Sequence, residues 1–134
     1  MKFLGLYKPA APEGTPPSQE HMAEMGRLIE EMTRAGVLLA TEGCLPSSQG
    51  ARVRHSGGKF TVTDGPFTES KELIAGFALF EVKSKEEAIE WTKRFLKVAG
   101  EGESEIRQIF EGGNCTPESG AAEHLQREPV ASNL

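Results

Sequence analysis

The stretch Leu73-Ile74-Ala75-Gly76-Phe77-Ala78-Leu79-Phe80-Glu81-Val82 is the most apolar in the chain. Successive side chains of a strand point to opposite faces, so its residues divide into two sets. One set is Leu73, Ala75, Phe77 and Leu79, and the other is Ile74, Gly76, Ala78, Phe80 and Val82. Both sets are apolar, which predicts a strand that is covered on both faces.

Upstream of this strand, the sequence predicts a strand, a loop and a helix. Residues 2–8 form a short apolar run typical of a buried strand, and the proline-rich residues 9–17 predict a loop. The first helix is expected over about residues 18–35, with Ser18 as its N-cap and Gly36 as its stop. Its apolar residues recur at helical spacing: Met22, Met25, Leu28, Ile29 and Met32.

Downstream of the central strand, Ser84-Lys85-Glu86-Glu87 has the form of a capping box and predicts the start of a second helix, which Gly100 ends. The apolar stripe of this helix is Ala88, Trp91, Phe95 and Val98. Residues 104–111 alternate and predict the last strand.

Between the first helix and the central strand, residues 37–45 predict a strand, and residues 51–56 and 59–64 predict a hairpin around Gly57-Gly58. The resulting order is β-α-β, a hairpin, then β-α-β. It predicts a ferredoxin-like α+β fold, of the dimeric α/β-barrel type, with an antiparallel sheet and both helices on one face.

The totals are those of one small globular domain. The chain has 134 residues, 37% hydrophobic and 26% charged, with a net charge of −5 and a pI near 5.3. We expect a domain over residues 1–111 and a mobile or partner-docking tail over 112–134, which is polar and rich in glycine, with room for one helical turn near Ala121–Gln126.

Charge and cysteine content exclude several classes of partner. An acidic chain without a basic run is poorly suited to nucleic acid or to an anionic membrane, and no segment has the length of a membrane span. Cys44 and Cys115 are too few for a disulfide framework, and the apolar run at the N-terminus is shorter than we expect for a signal peptide. These features predict a cytoplasmic protein.

Apolar residues on both faces of two strands predict a homodimer. The first strand has Phe3 and Tyr7 on one face and Leu4 and Leu6 on the other. Two helices on one side leave the second face of the sheet to be covered by the hairpin, the tail or another copy. A two-fold dimer is the commonest oligomer, so it is the hypothesis we adopt.

The register of the hairpin places Asp64. With Gly57-Gly58 as the loop, His55 faces Phe60, and Ala51 faces Asp64. The face that carries Asp64 is mostly apolar and is expected to turn inward; its other members are Ala51, Val53, His55, Phe60 and Val62. An inward carboxylate is either hydrogen-bonded or functional. In the alternative interpretation, Asp64-Gly65-Pro66 is a turn in which the aspartate bonds nearby backbone amides.

Two further residues join Asp64 as candidate catalytic groups. Glu42 is an acid within an apolar strand segment, on the face that we expect it to share with Leu38, Ala40 and Cys44, although a strand end open to solvent also explains it. His21 lies in the first turn of the first helix, where it is either exposed or opens onto a pocket.

The segment around Gly65 supplies candidate substrate-binding residues. They are Gly65 and Pro66 in the turn, Phe67 as a core plug or pocket wall, and Glu69 and Lys71, which with Glu72 form a charge cluster expected to be a rim. The sequence has no HxH, HExxH, CxxC, GxSxG, P-loop or GxGxxG motif. Neither a metal nor an organic cofactor is therefore expected.

At Asp64-Gly65-Pro66-Phe67-Thr68-Glu69-Ser70-Lys71-Glu72 the sequence resembles the YCII-related family, in its DGPF branch. The resemblance extends over roughly residues 2–111, through Ala35–Leu38, Glu42–Pro46, Gly76–Val82, Ala88–Trp91 and Glu105–Arg107. It implies a ferredoxin-like fold and a homodimer.

The resemblance also implies small-molecule chemistry. Related YCII proteins are proposed to be enzymes with a His–Asp pair in a cleft, and one relative is a dehydrochlorinase. His21 falls near the family's histidine. The family's aspartate after the second helix has no match in the stretch 96–100, which leaves Asp64 as the candidate for the acidic role.

Two functions follow. In the first, the protein is an enzyme without an organic cofactor that moves a proton, or eliminates a group, in a cleft near Asp64, and Lys71 attracts an anionic substrate group. In the second, it is a non-catalytic dimeric ligand-binding or structural module, and residues 64–72 are a turn and dimer element.

Overall fold

The computed structural model of the chain describes residues 1–69 and 72–111. In this part of the chain, the strands are β1 (Lys2–Pro9), β2 (Leu38–Gly43), β3 (Ala51–Ser56), β4 (Lys59–Asp64), β5 (Gly76–Glu81) and β6 (Gly102–Gln108). The helices are α1 (Gln19–Arg34) and α2 (Lys85–Ala99), with a short 3-10 helix at Ser47–Gln49. The predicted tail, with its helical turn near residues 121–126, lies outside the described residues.

The main sheet is antiparallel in the order β2-β5-β1-β6, and β3 and β4 form a separate hairpin. Removal of the hairpin leaves β-α-β-β-α-β with the first strand beside the third and the last, which is the ferredoxin-like topology. The predicted fold class is confirmed.

One core joins both helices to the same face of the sheet. Its buried members are Phe3, Leu28, Met32, Val37, Phe80, Val82 and Ala88. Phe3 and Phe80 are register partners, and their rings stack with centroids 6.3 Å apart. Full burial of a large apolar side chain contributes about 1.5–3 kcal/mol, so this face holds the domain together.

Both helix starts use the predicted serines. Ser18 Oγ accepts a hydrogen bond from the His21 N–H at 3.1 Å, and Ser84 Oγ accepts one from the Glu87 N–H at 3.1 Å. Glu87 reaches back to the Lys83 N–H at 2.9 Å, one residue before the position of a standard capping box. The helices end before Gly36 and Gly100, which have positive φ angles of 74° and 105°.

Strand boundaries differ from the prediction at the edges of the sheet. β6 begins at Gly102 and ends at Gln108, because it pairs with β1 from Pro9↔Gly102 to Phe3↔Gln108. In β2, a register shift between Leu38 and Ala40 moves the rest of the strand to the other face. Leu38 opposite Phe80 faces the helices, whereas Glu42 opposite Phe77 does not, so the prediction that Leu38 and Glu42 share a face is wrong.

The face of the sheet opposite the helices is open within one chain. It carries half-buried apolar side chains of the two central strands, Leu4, Leu6, Phe77 and Leu79. The hairpin does not cover this face, since every residue of β3 and β4 is exposed.

The hairpin register is confirmed residue by residue, from Ala51↔Asp64 to Ser56↔Lys59. The prediction that its apolar face turns inward is wrong for a single chain. Val53, Phe60 and Val62 share one face and are 67%, 72% and 63% exposed. His55 stacks on Phe60 with ring centroids 4.5 Å apart.

Truncation of the core ring tests this account. Phe80→Ala leaves a cavity between the sheet and both helices, so we expect the free energy of unfolding to fall by about 3–5 kcal/mol in urea titration. Met22→Ala on α1, where the side chain is 56% exposed, serves as the control and should change it by less than about 0.5 kcal/mol. Equal midpoints for the two variants would contradict the assigned core.

Candidate functional site

The turn after β4 rests on the backbone of the 3-10 helix. The Gly65 N–H donates to the Gly50 carbonyl at 3.0 Å, and the Gly65–Pro66 peptide bond is cis. An alanine Cβ at position 65 would lie 1.7 Å from the Ser47 carbonyl oxygen, closer than any real contact. Only glycine permits this approach, so Gly65 determines how the turn seats on the 3-10 helix.

Ser47 links this turn to the first loop. Its Oγ donates to Glu13 Oε2 at 2.6 Å and accepts from the Phe67 N–H at 3.0 Å. Its own N–H donates to Glu13 Oε1 at 2.7 Å. The carboxylate of Glu13 is therefore engaged through both oxygens, and Phe67 is held in place through its backbone.

Arg52 of β3 lies against Phe67. Its guanidinium carbon is 4.0 Å from the centroid of the ring, which is cation–π geometry. The hairpin register puts Arg52 on the polar face of β3 and β4, opposite Thr63 and away from Val53 and Val62. The polar face of the hairpin thus turns toward the 65–67 turn.

These groups line a cleft of about 270 Å³ between the first loop, the 3-10 helix, β3, Phe67 and residues 72–74. Its lining residues are Glu13, Leu45, Ser47, Arg52, Phe67, Glu72, Leu73 and Ile74. The lining thus combines two carboxylates, one hydroxyl and one guanidinium with four apolar side chains. This combination suits a small organic ligand with few polar groups.

Of the sequence-predicted site residues, Phe67 lines the cleft. Gly65 forms the turn behind it, and Pro66 and Glu69 are exposed. Asp64 is exposed at the end of β4, because the whole hairpin face that carries it is open to solvent. The expectation that Asp64 points inward is wrong for a single chain. Lys71 lies outside the described residues.

His21, Glu42 and Asp64 are placed by the topology at the same end of the sheet. Each is exposed, and no hydrogen bond or ion pair joins any two of them. The topology explains their common location. β1 ends there before α1 starts, and β2 ends there before the chain continues to the hairpin. Gly43 of β2 pairs with Gly76, the first residue of β5, at this end. Their predicted catalytic roles remain predictions.

Sequence reasoning missed Glu13, Ser47 and Arg52 as site residues. Glu13 lies in a proline-rich loop and Ser47 in a short connection, where no periodic signal exists. The register did place Arg52 on the polar face of the hairpin, but the ring that it stacks on comes from the turn after β4. Glu72 was visible as part of a charge cluster, and the structure puts it in the cleft wall.

The described residues contain neither a metal-binding cluster nor a membrane-spanning helix. No group of three or more His, Cys, Asp and Glu side chains there is arranged to hold a metal ion. No helix in residues 1–69 and 72–111 has the length and apolar character needed to cross a membrane.

Comparison with known proteins gives a family and individual similarities. The YCII-related domain matches residues 1–112. An uncharacterised protein of Rhizobium meliloti strain 1021 is 33% identical over 72 residues, which are 54% of this chain and 58% of that protein, so the match spans less than two thirds of the relative.

Among solved structures, the chain is similar to 5-chloro-2-hydroxyhydroquinone dehydrochlorinase (TftG) from Burkholderia phenoliruptrix AC1100, in complex with 2,5-dihydroxybenzoquinone. The identity is 15%, the TM-score is 0.47, and the match covers 87% of this chain and 100% of that chain. These values are too low to bear on the function of this chain.

The close approach of Gly65 to the Ser47 carbonyl can be tested with two glycine substitutions. In Gly65→Ala the new Cβ collides with the Ser47 carbonyl, so we expect a loss of about 1–3 kcal/mol in urea unfolding and chemical-shift changes at Ser47 and Phe67. Gly43→Ala is the matched control, because its Cβ would lie 3.9 Å from the nearest backbone oxygen, and it should leave stability unchanged or higher. A Gly65→Ala protein as stable as wild type would contradict the described approach.

Proposed function

Because the chain belongs to the YCII-related family, we propose that it is a small-molecule enzyme that moves a proton in the cleft beside Phe67, as a homodimer in the cytoplasm. The observation that carries the proposal is the lining of the cleft, where acid–base groups stand on an apolar wall. A carboxylate of the cleft would take a proton from a substrate carbon or hydroxyl, with elimination of a leaving group as one outcome.

Glu72 is the first candidate for the general base. Its carboxylate is exposed in the cleft and makes no hydrogen bond or ion pair with another described residue. Glu13 has both oxygens bonded to Ser47, so it is better suited to hold the cleft together than to exchange protons. A general base must lie within hydrogen-bond reach of the substrate, and Glu72 lines the cleft in which we propose that the substrate binds.

The sequence-predicted residues belong to the same proposal in a wider sense. His21, Glu42 and Asp64 are exposed and do not line the cleft, so their proposed role is toward a substrate that extends beyond it. Gly65, Pro66, Glu69 and Lys71 keep their predicted substrate-binding role in this proposal, as members of the DGPF segment.

The homodimer is proposed from two apolar surfaces that one chain leaves open. The first is the face of the sheet with Leu6, Phe77 and Leu79, and the second is the hairpin face with Phe60 and Val62. Large exposed apolar patches mark interaction sites. In a two-fold dimer the hairpin face of each copy can pack on the open sheet face of the other. The symmetry repeats this contact, so both surfaces are covered in both copies.

An alternative function is a non-catalytic dimeric ligand-binding or structural module. The hydrogen bonds of this turn favour it, because Gly65 donates to the Gly50 carbonyl and Phe67 to Ser47 Oγ, which gives the turn a structural role without any chemistry. The two functions differ in whether any substrate is turned over.

Turnover can be detected without knowledge of the substrate. We expect incubation in D₂O with a panel of small phenols, ketones and carboxylic acids to show deuterium incorporation or elimination by proton NMR for at least one compound. Glu72→Gln should then lower kcat by about 10²- to 10⁴-fold. The control, Glu24→Gln on the exposed side of α1, should keep the wild-type rate. If no compound of the panel is turned over, the result supports the non-catalytic binding module. If Glu72→Gln turns over substrate at the wild-type rate, Glu72 is not the general base.

The dimer is tested by light scattering at micromolar concentration, where we expect twice the chain mass of 14.5 kDa. Val62→Lys places a charge on the exposed apolar face of the hairpin, so it should shift the mass toward that of a monomer and leave the fold intact. Thr63→Lys adds the same charge on the polar face, opposite Arg52, and should remain dimeric. A monomeric wild-type protein would overturn this part of the proposal.

A further inference from the structure

Two arginines in residues 1–69 and 72–111 stack on aromatic rings, and they differ in one respect. Arg94 lies over Trp91 at 4.9 Å and also holds both carboxylate oxygens of Glu31, at 2.6 and 2.7 Å. Arg52 lies over Phe67 at 4.0 Å and forms no ion pair within the described part of the chain. The arrangement at Arg52 has the ring and the guanidinium but lacks the carboxylate.

From this difference we propose that Arg52 and Phe67 form the subsite for the carboxylate of a small aromatic or alicyclic monocarboxylic acid. The inference names the substrate class for the cleft of the proposed function and therefore rests on that function. A guanidinium with one face on a ring keeps its N–H groups free in its own plane, where they match the two oxygens of a carboxylate.

The position of the Phe67 backbone is fixed by hydrogen bonds within the chain, without a ligand. The Phe67 N–H is bonded to Ser47 Oγ at 3.0 Å, and Ser47 is bonded twice to Glu13. A fixed platform limits the conformational entropy that binding would cost, and it sets the direction in which Arg52 presents its donors.

The remaining lining residues and the volume of the cleft determine the size and polarity of the part of the ligand beyond its carboxylate. Leu45 and Ile74 are 76% and 41% exposed and stand beside Leu73 in its lining. A ring placed against them removes this apolar surface from water. A volume of about 270 Å³ falls below that of drug-sized sites, so the body is of about one ring.

The carboxylates of the cleft restrict the charge of the ligand. The described partners of the Glu13 carboxylate are the N–H and the hydroxyl of Ser47, which carry no positive charge, and the Glu72 carboxylate has no described partner. A second anionic group on the ligand would be repelled by Glu72, whereas a hydroxyl could donate to it. The site therefore favours a monoanion over a dianion.

The probes are benzoate, its neutral analogue benzamide and the dianion phthalate, titrated into the full-length ¹⁵N-labelled protein. We expect benzoate to shift the amide resonances of Phe67 and Ile74 in a saturable manner, with benzamide and phthalate at least about tenfold weaker. Arg52→Gln should weaken benzoate by about tenfold or more. Arg54→Gln, on the same hairpin face but outside the cleft lining, should bind as wild type.

The outcomes separate this inference from the proposed function. Equal affinity for benzoate in wild type and Arg52→Gln, or saturable binding of benzamide as strong as that of benzoate, would overturn the carboxylate subsite and leave a small-molecule cleft. The absence of shifts at Phe67 and Ile74 with every probe up to about 10 mM, a weak-binding limit, would also overturn it. Turnover of a neutral compound in the D₂O panel would show that the proposed function stands without the subsite.

Discussion

Two helices can cover only one face of a four-stranded sheet, and this sheet is apolar on both. The covered face holds Phe3 and Phe80 in one core with residues of α1 and α2. The other face leaves Leu6, Phe77 and Leu79 half-buried, and the hairpin adds a second apolar surface that the chain does not cover. The proposed dimer follows from this imbalance, because apolar surface of this extent is stabilised by removal from water.

The candidate site depends on a single close approach of two backbones. Gly65 packs on the Ser47 carbonyl, which brings the turn after β4 to the 3-10 helix. Phe67 and Glu13 are then bonded to the same serine, and Arg52 stacks on the ring from the neighbouring strand. Residues that are far apart in sequence thus line one cleft, and a side chain at position 65 would separate them.

The electrostatics of the cleft follow from how its charges are partnered. Glu13 has hydrogen bonds to both oxygens, whereas Glu72 and Arg52 make no ion pair with another described residue. Away from the cleft, Arg34, Arg94 and Arg107 each pair with a glutamate. Arg52 and Glu72 thus bring charges of both signs beside Ile74 and Leu73 without an ion pair to another described residue. Exposed ion pairs such as that of Arg34 with Glu30 contribute little to stability.

The sequence by itself determined the elements of this protein, since apolar periodicity, Ser18 and Ser84 as caps, and Gly57-Gly58 as a hairpin loop are local signals. It also determined the register of β3 on β4, because a two-residue loop leaves one pairing. Only the tertiary structure decided which way the hairpin faces, which turned Asp64 to solvent and Arg52 toward Phe67. It alone brought Glu13 to Ser47, because contacts between loops depend on where the sheet places their ends, and no periodicity within a loop encodes that position.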